Sequence, residues 1–258
     1  MSDKIEDSSS LIHVVAFIDI LGSSQILLSE DDNAINNYLA GIDGLNFWAR
    51  NEENGTVMFS DNVLIYSEGN TAEAVQSIIQ SVANVQIYIM KKYNLLIRGG
   101  VVIDELNHIP QDQSDYIIGK AIVRAYNLES RKAIYPRVVV SKEVYEKYFP
   151  IDEKELITNW DCPFVDFLQA TIEEGFVNTD TLQQYRQCLI KHVEDQIKDV
   201  PVDSWDRIRD KDLWALSYYN EFCKNNDVPE MAIDFKEEYI PSFGKIVITI
   251  ENKGGSDN

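Results

Sequence analysis

The sequence predicts an α+β fold: a mixed, largely antiparallel sheet with helices packed on it, in ferredoxin-like order. Two observations predict it. Over residues 13–141 the strand-like and helix-like patterns alternate as βα-ββ-αβ-αβ rather than as the strict βα repeat of an open doubly wound sheet. The chain has 258 residues and is 45% apolar, enough for one or two domains with a core that needs no staples.

Residues 13–21, HVVAFIDIL, are β-branched and aromatic and end at Gly22-Ser23-Ser24, so they read as a buried strand feeding a turn and a helix. A polar helical region extends to about Asn54. Gly55 to Ser67 holds two short apolar runs around Ser60-Asp61-Asn62, the composition of a hairpin. From Thr71 to Lys92, Val75, Ile78, Ile79, Val82, Val85 and Ile89 recur at spacings of three and four, which predicts an amphipathic helix. Leu95 to Leu106 returns to a strand containing Arg98-Gly99-Gly100. Tyr116 to Gly119 introduces a helix to about Lys132, and Arg137 to Ser141 is a further strand after Pro136.

Beyond Ser141 the texture changes. Helices are expected from Asp180 to Lys198 and from Ser204 to Asn225, the second carrying Trp205, Trp214, Tyr218, Tyr219 and Phe222, a stripe that fits either core or a contact surface. A strand-like run, Lys245 to Ile250, closes the pattern. The expected organisation is a disordered lead-in over 1–10, a catalytic domain over 11–150, a mostly helical extension packed on it over 151–250, and a flexible tail over 251–258.

Charge narrows the function classes. Lys plus Arg number 23 against 43 Asp plus Glu, a formal charge of −20, which argues against a nucleic-acid binder and against an anionic membrane surface. The apolar run from Leu11 to Leu21 falls short of the roughly 20 residues that span a bilayer. The first ten residues lack the pattern of a signal peptide. Cys162, Cys188 and Cys223 form neither a disulfide framework nor a zinc clip, so a reducing cytoplasm is expected. His13, His108 and His192 share no spacing typical of a metal site or triad and read as structural.

Three features could carry chemistry. Asp19 lies within a strand that should be buried, where a bare carboxylate is costly unless paired, so it reads either as a cap on the next turn or as a metal ligand. Asp61, at the hairpin tip, is an ordinary turn residue taken alone. The strand order places it near Asp19, and two carboxylates from neighbouring strand ends make an oxygen-only site suited to Mg²⁺ or Mn²⁺. Finally, Lys120, Arg124, Arg131, Lys132 and Arg137 face a single acid, Glu129, between Gly119 and Arg137. That segment reads either as a solvated helix face or as a phosphate-holding island, and Gly22-Ser23-Ser24 offers a second helix terminus for an anion.

These residues resemble the class III nucleotidyl cyclases over about residues 13–141, through F-x-D-I-x-G from Phe17 to Gly22, the aspartate of FSDNV, the RGG strand, and G-x-x-x-x-x-A-Y-x-L-E from Gly119 to Glu129. More narrowly, FIDILG, FSDNVLI, RGGVVIDE and AYNLESRKAIYPRVVVS together look like the bacterial pyrimidine cyclases of the Pycsar antiphage system. The resemblance implies that Asp19 and Asp61, with the backbone carbonyl of Ile20, hold two divalent cations, Mn²⁺ or Mg²⁺. It implies conversion of a nucleoside triphosphate to the 3′,5′-cyclic monophosphate and pyrophosphate, at sites shared between two subunits of a head-to-tail homodimer. The product would be read by a separate cyclic-nucleotide-binding effector.

Phe17, Gly22, Ser23, Arg98 and Lys120 fall to substrate binding. Val57 stands where purine cyclases carry a base-reading Lys or Glu, and Tyr116 where they carry Asp or Cys; both departures favour a pyrimidine, UTP slightly ahead of CTP. The resemblance puts the family's transition-state Asn and Arg on Val123 and Asn127, so Arg124, ahead of Arg98, is the expected catalytic cation. A catalytically silent nucleotide-binding domain and a purine cyclase are the alternatives.

Overall fold

The computed structural model describes residues 11–28, 30–49, 54–59, 61–109, 116–149, 156–173, 175–199, 202–241 and 244–251. The lead-in over 1–10 and the tail beyond residue 251 lie outside the described residues. The chain divides into two compact units, Met1–Ala170 and Thr171–Asn258.

The first unit is built on β1 (Leu11–Ile20), whose near-continuous apolar run suits a strand covered on both faces. Val14, Val15, Ala16, Ile18 and Ile20 are wholly buried. Two helices follow, α1 (Ser23–Leu27) and α2 (Asp32–Ala49), then the hairpin β2 (Gly55–Phe59) and β3 (Asn62–Glu68), helix α3 (Ala72–Tyr93) and the long strand β4 (Ile97–Ile109). The order β2-β3-β1-β4, antiparallel throughout, is the ferredoxin-like α+β arrangement that the sequence predicts. Helix α3 begins where Thr71 accepts a hydrogen bond from the Ala74 N–H and ends at Asn94 in the left-handed region.

Strand β5 (Tyr116–Ile118) pairs with the far end of β4 and leads into α4 (Lys120–Lys132). Strand β6 (Val138–Val140) then lies parallel to β4, and α5 (Lys142–Tyr148) follows behind a Ser141 cap. Residues 157–165, which the sequence groups with the C-terminal extension, form β7 (Ile157–Asn159) and β8 (Pro163–Val165) and continue the main sheet as β4-β6-β8-β7. Too short for a periodicity signal, they escape a sequence reading.

The sheet separates two cores. Even-numbered residues of β1 face α2, where Ile20 meets Gly41. Odd-numbered residues face α4: Val15, Phe17, Leu64, Val102, Leu106, Ala121 and Ala125 form one buried cluster. Burying each of its larger side chains is worth about 1.5–3 kcal/mol. The RGG strand is what lets α4 approach. A Cβ on Gly100 would stand 2.7 Å from the Ala125 carbonyl oxygen and 3.1 Å from the Glu129 nitrogen, so only glycine admits the helix this closely.

In the second unit, the short pair β9 (Ile172–Glu173) and β10 (Phe176–Val177) precedes α6 (Thr179–Asp199) and α7 (Val202–Asn225), and a hairpin of β11 (Phe235–Ile240) and β12 (Lys245–Ile250) closes it. The sequence pattern shows β12 alone, because β11 is FKEEYI and mostly exposed. The aromatic stripe of α7 is core: Trp205, Tyr218, Tyr219 and Phe222 are buried. Trp205 donates its indole N–H to the Ile246 carbonyl, and the Lys245 ammonium sits 4.2 Å from its ring centroid. Among the described residues no helix is long and apolar enough to cross a membrane.

Candidate functional site

Strand register assembles the site. Asp19 at the end of β1 stands opposite Asn62 on β3 and Arg98 on β4, and directly opposed residues of antiparallel strands share a face. Asp19 is 8% exposed. Its Oδ2 accepts from both Arg98 Nε at 3.1 Å and Arg98 Nη2 at 2.9 Å. Burial pushes the Asp19 carboxyl up and Arg98 pulls it down, while the nearby charge of Asp61 adds to the rise, and the net direction is upward. The two carboxylates are therefore electrostatic neighbours, as the hairpin topology predicts.

Asp61 is fixed at both oxygens. Tyr38, from α2, donates its hydroxyl to Oδ2 at 3.0 Å, and the Asn62 amide donates to Oδ1 at 3.2 Å. Burial first, and the bond to Asp61 second, push the Tyr38 phenol up to about 12, so it remains a donor through the physiological range. Ser23 hydrogen-bonds the same hydroxyl, which ties the start of α1 to the hairpin through Tyr38. Sequence reasoning misses Tyr38, because a tyrosine on an amphipathic helix carries no signal beyond core packing.

Glu129 completes the cluster from α4. It is 3% exposed, and its Oε1 lies 2.8 Å from Arg98 Nε. That contact is an ion pair without a hydrogen bond, because Nε has one hydrogen and directs it at Asp19. Burial raises the Glu129 carboxyl, Arg98 lowers it and Asp19 raises it further, for a net rise. One guanidinium thus serves two carboxylates, Asp19 and Glu129.

The donor set fits a hard divalent cation. Asp19, Asp61 and the Ile20 carbonyl are all oxygens, and the surplus of negative charge around Arg98 favours a cation. Among the described residues no group of three or more His, Cys, Asp or Glu side chains is arranged to hold a metal. A Mg²⁺-type site with two carboxylates is completed by waters and substrate phosphates.

The remaining sequence-derived residues divide between two ends of the sheet. Phe17, Val57 and Leu64 lie in the next row on the Asp19 face, and the Phe17 ring meets Tyr126 edge-on at 5.8 Å. Gly22 takes the left-handed region at φ 86° to open α1, which is little more than one turn long. Tyr116 is at the other end, paired with Ile109 and 52% exposed. From Arg98 to Ile109 along β4, at ~3.3 Å per residue, the separation is on the order of 35 Å. The basic island divides: Lys120 and Arg124 lie toward that end, whereas Arg137 stands beside Gly99, at the Arg98 end. Lys120 meets Glu105 at 2.9 Å, and Arg124 meets Asp104 at 2.9 Å and Glu143 at 3.5 Å. Arg137 is buried against Asp161, at 2.5 and 2.8 Å, and belongs to the core. Val123 is 59% exposed.

Several solved structures are similar to this chain. They include the adenylyl cyclase CyaB from P. aeruginosa, at 16% identity and TM-score 0.44 over 60% of this chain and 91% of that one. A bacterial light-regulated adenylyl cyclase is similar at 14% identity and TM-score 0.45, over 69% of this chain and 56% of that one. The guanylyl cyclase domain of the RhoGC fusion protein from the aquatic fungus Blastocladiella emersonii is similar at 16% identity and TM-score 0.44, over 60% and 96%. No family model and no curated protein sequence matches the chain.

Proposed function

We propose that this protein is a metal-dependent nucleotidyl cyclase that acts on a pyrimidine nucleoside triphosphate, UTP ahead of CTP, and releases the 3′,5′-cyclic monophosphate and pyrophosphate. The observation that carries the reading is that the β1–β3 register sets Asp19 beside Asp61 at one end of the sheet, near enough for one charge to raise the other, with Arg98 bonded to Asp19. Asp19, Asp61 and the Ile20 carbonyl would hold Mg²⁺ or Mn²⁺, whose charge lowers the pKa of an attacking ribose hydroxyl and offsets that of the triphosphate. Tyr38 and Asn62 fix the Asp61 carboxylate. Among the described residues no acceptor meets Arg98 Nη1, which leaves it for a phosphate oxygen.

Val57, partly buried against the Phe17–Leu64 core beside the carboxylates, offers no charged group to read a purine edge. The distance between the Asp19 end and the Tyr116 end favours a head-to-tail homodimer, in which Tyr116, Lys120 and Arg124 of one copy face Asp19, Asp61 and Arg98 of the other. In the antiphage setting of the pyrimidine cyclases it resembles, the product would act as a messenger for a separate effector. A second reading, a nucleotide-binding domain without turnover, draws on the exposed Val123 and on Arg124 being held by two acids.

Incubation of the full chain with Mn²⁺ and each of ATP, GTP, CTP and UTP, read by mass spectrometry, tests both. Cyclic UMP or CMP that disappears in Asp19→Asn and Asp61→Asn supports the cyclase. Tight nucleotide binding without pyrophosphate release supports the silent domain. Turnover that survives both substitutions refutes the metal assignment.

A further inference from the structure

We propose that Glu129 is a positioning residue, a second carboxylate onto which the Arg98 guanidinium moves when Asp19 takes up a divalent cation; this rests on the cation site proposed above. Asp19 Oδ2 now accepts two N–H groups from Arg98. A cation that ligates Oδ2 competes with Arg98 for these lone pairs, so its uptake at that oxygen loosens the guanidinium. A half-buried guanidinium set loose without another acceptor would be costly.

Glu129 is where that acceptor stands. Its Oε1 is buried, receives no hydrogen bond, and already lies 2.8 Å from Arg98 Nε. A buried carboxylate oxygen left without a donor calls for an explanation, and a small turn of the guanidinium would satisfy it. The backbone is arranged for this contact, because Gly100 allows the Glu129 turn of α4 to rest directly on β4, two residues from Arg98. After the transfer Arg98 remains at the floor of the site beside the cation, with its Nη groups turned to the triphosphate.

The test is a Mn²⁺ titration of the full chain, followed by the electron paramagnetic resonance of free Mn²⁺, on wild type, E129Q, E129D, R98A and R98A/E129Q. E129Q keeps the shape and removes the charge; E129D keeps the charge and withdraws it from Arg98. The relay predicts that E129Q and E129D each weaken Mn²⁺ binding by ~10–100-fold, the range for groups that orient metal ligands. It also predicts that E129Q has no effect once Arg98 is absent. Wild-type affinity in E129D, or an E129Q effect of equal size with and without Arg98, would show Glu129 to be mere background charge and overturn the proposal. Should E129Q lose its cooperative melt, E129D alone still decides. Wild-type Mn²⁺ binding that Asp61→Asn leaves unchanged would instead remove the cation site itself, a failure of the underlying function and not of Glu129.

Discussion

Asp212 sets the stability of the second unit against pH. It sits on the buried stripe of α7, between Ile208 and Ala215, and burial pushes its carboxyl up from an ordinary 3.8 to about 7, with Lys211 offsetting little. The folded unit therefore holds a proton that the unfolded chain releases between those two values. Stability must fall as pH rises through that window, with no cost below it and the full cost above it. At about 1.4 kcal/mol per pH unit, the cost is on the order of 4 kcal/mol at pH 8.5, where it is complete, and roughly 1.5 kcal/mol at pH 5. Asp212→Asn keeps the shape of the protonated acid and cannot ionise. Urea unfolding, followed by circular dichroism and by the fluorescence of Trp205 and Trp214, should show the variant more stable than wild type, with an advantage larger by roughly 2–3 kcal/mol at pH 8.5 than at pH 5. An advantage equal at both pH values would refute the reasoning, because a charge-independent packing change has no such slope.

Four other substitutions probe the first unit. Gly100→Ala forces α4 away from β4 and should cost about 1–3 kcal/mol in chemical denaturation, while Gly69→Ala, at a turn with open space but a φ of 90°, tests backbone strain without that contact. Tyr38→Phe removes one donor from Asp61 and keeps the ring, so unfolding should shift by about 1 kcal/mol and Mn²⁺ affinity should fall. Asp161→Ala leaves the buried Arg137 guanidinium without its carboxylate. Because Asp161 itself is largely exposed, about 2 kcal/mol of lost stability is expected in the same assay.

What the sequence could reveal follows from the range of each signal. Strand β1, the β2-β3 hairpin, α3 and α4 are encoded by periodicity within a window of ten to twenty residues, and they emerge near their predicted bounds. The nearness of Asp19 to Asp61 was readable because a hairpin after β1 pairs back onto it. The partners that set the chemistry were not. Tyr38 reaches Asp61 from a helix, and Glu129 reaches Arg98 across the sheet face, through contacts that depend on crossing geometry and on a glycine's missing Cβ. The basic segment shows the same limit: counting along the chain finds Lys120, Arg124 and Arg137 but not Glu105, Asp104, Glu143 and Asp161, which fold onto them.

That contrast within one molecule is the strongest electrostatic argument for the site. Arg137 and Asp161 show what this chain does with a buried cation that serves the fold: a single carboxylate meets it through two N–H groups. Arg98 instead meets two buried acids, Asp19 and Glu129, both displaced upward in pKa, with Asp61 a further charge beside Asp19 and one oxygen left without a donor. A cluster built only to stabilise the sheet would reach neutrality or be replaced by apolar side chains of similar volume at little cost. Surplus negative charge at the end of a rigid strand is instead a resting state that gains when positive charge arrives.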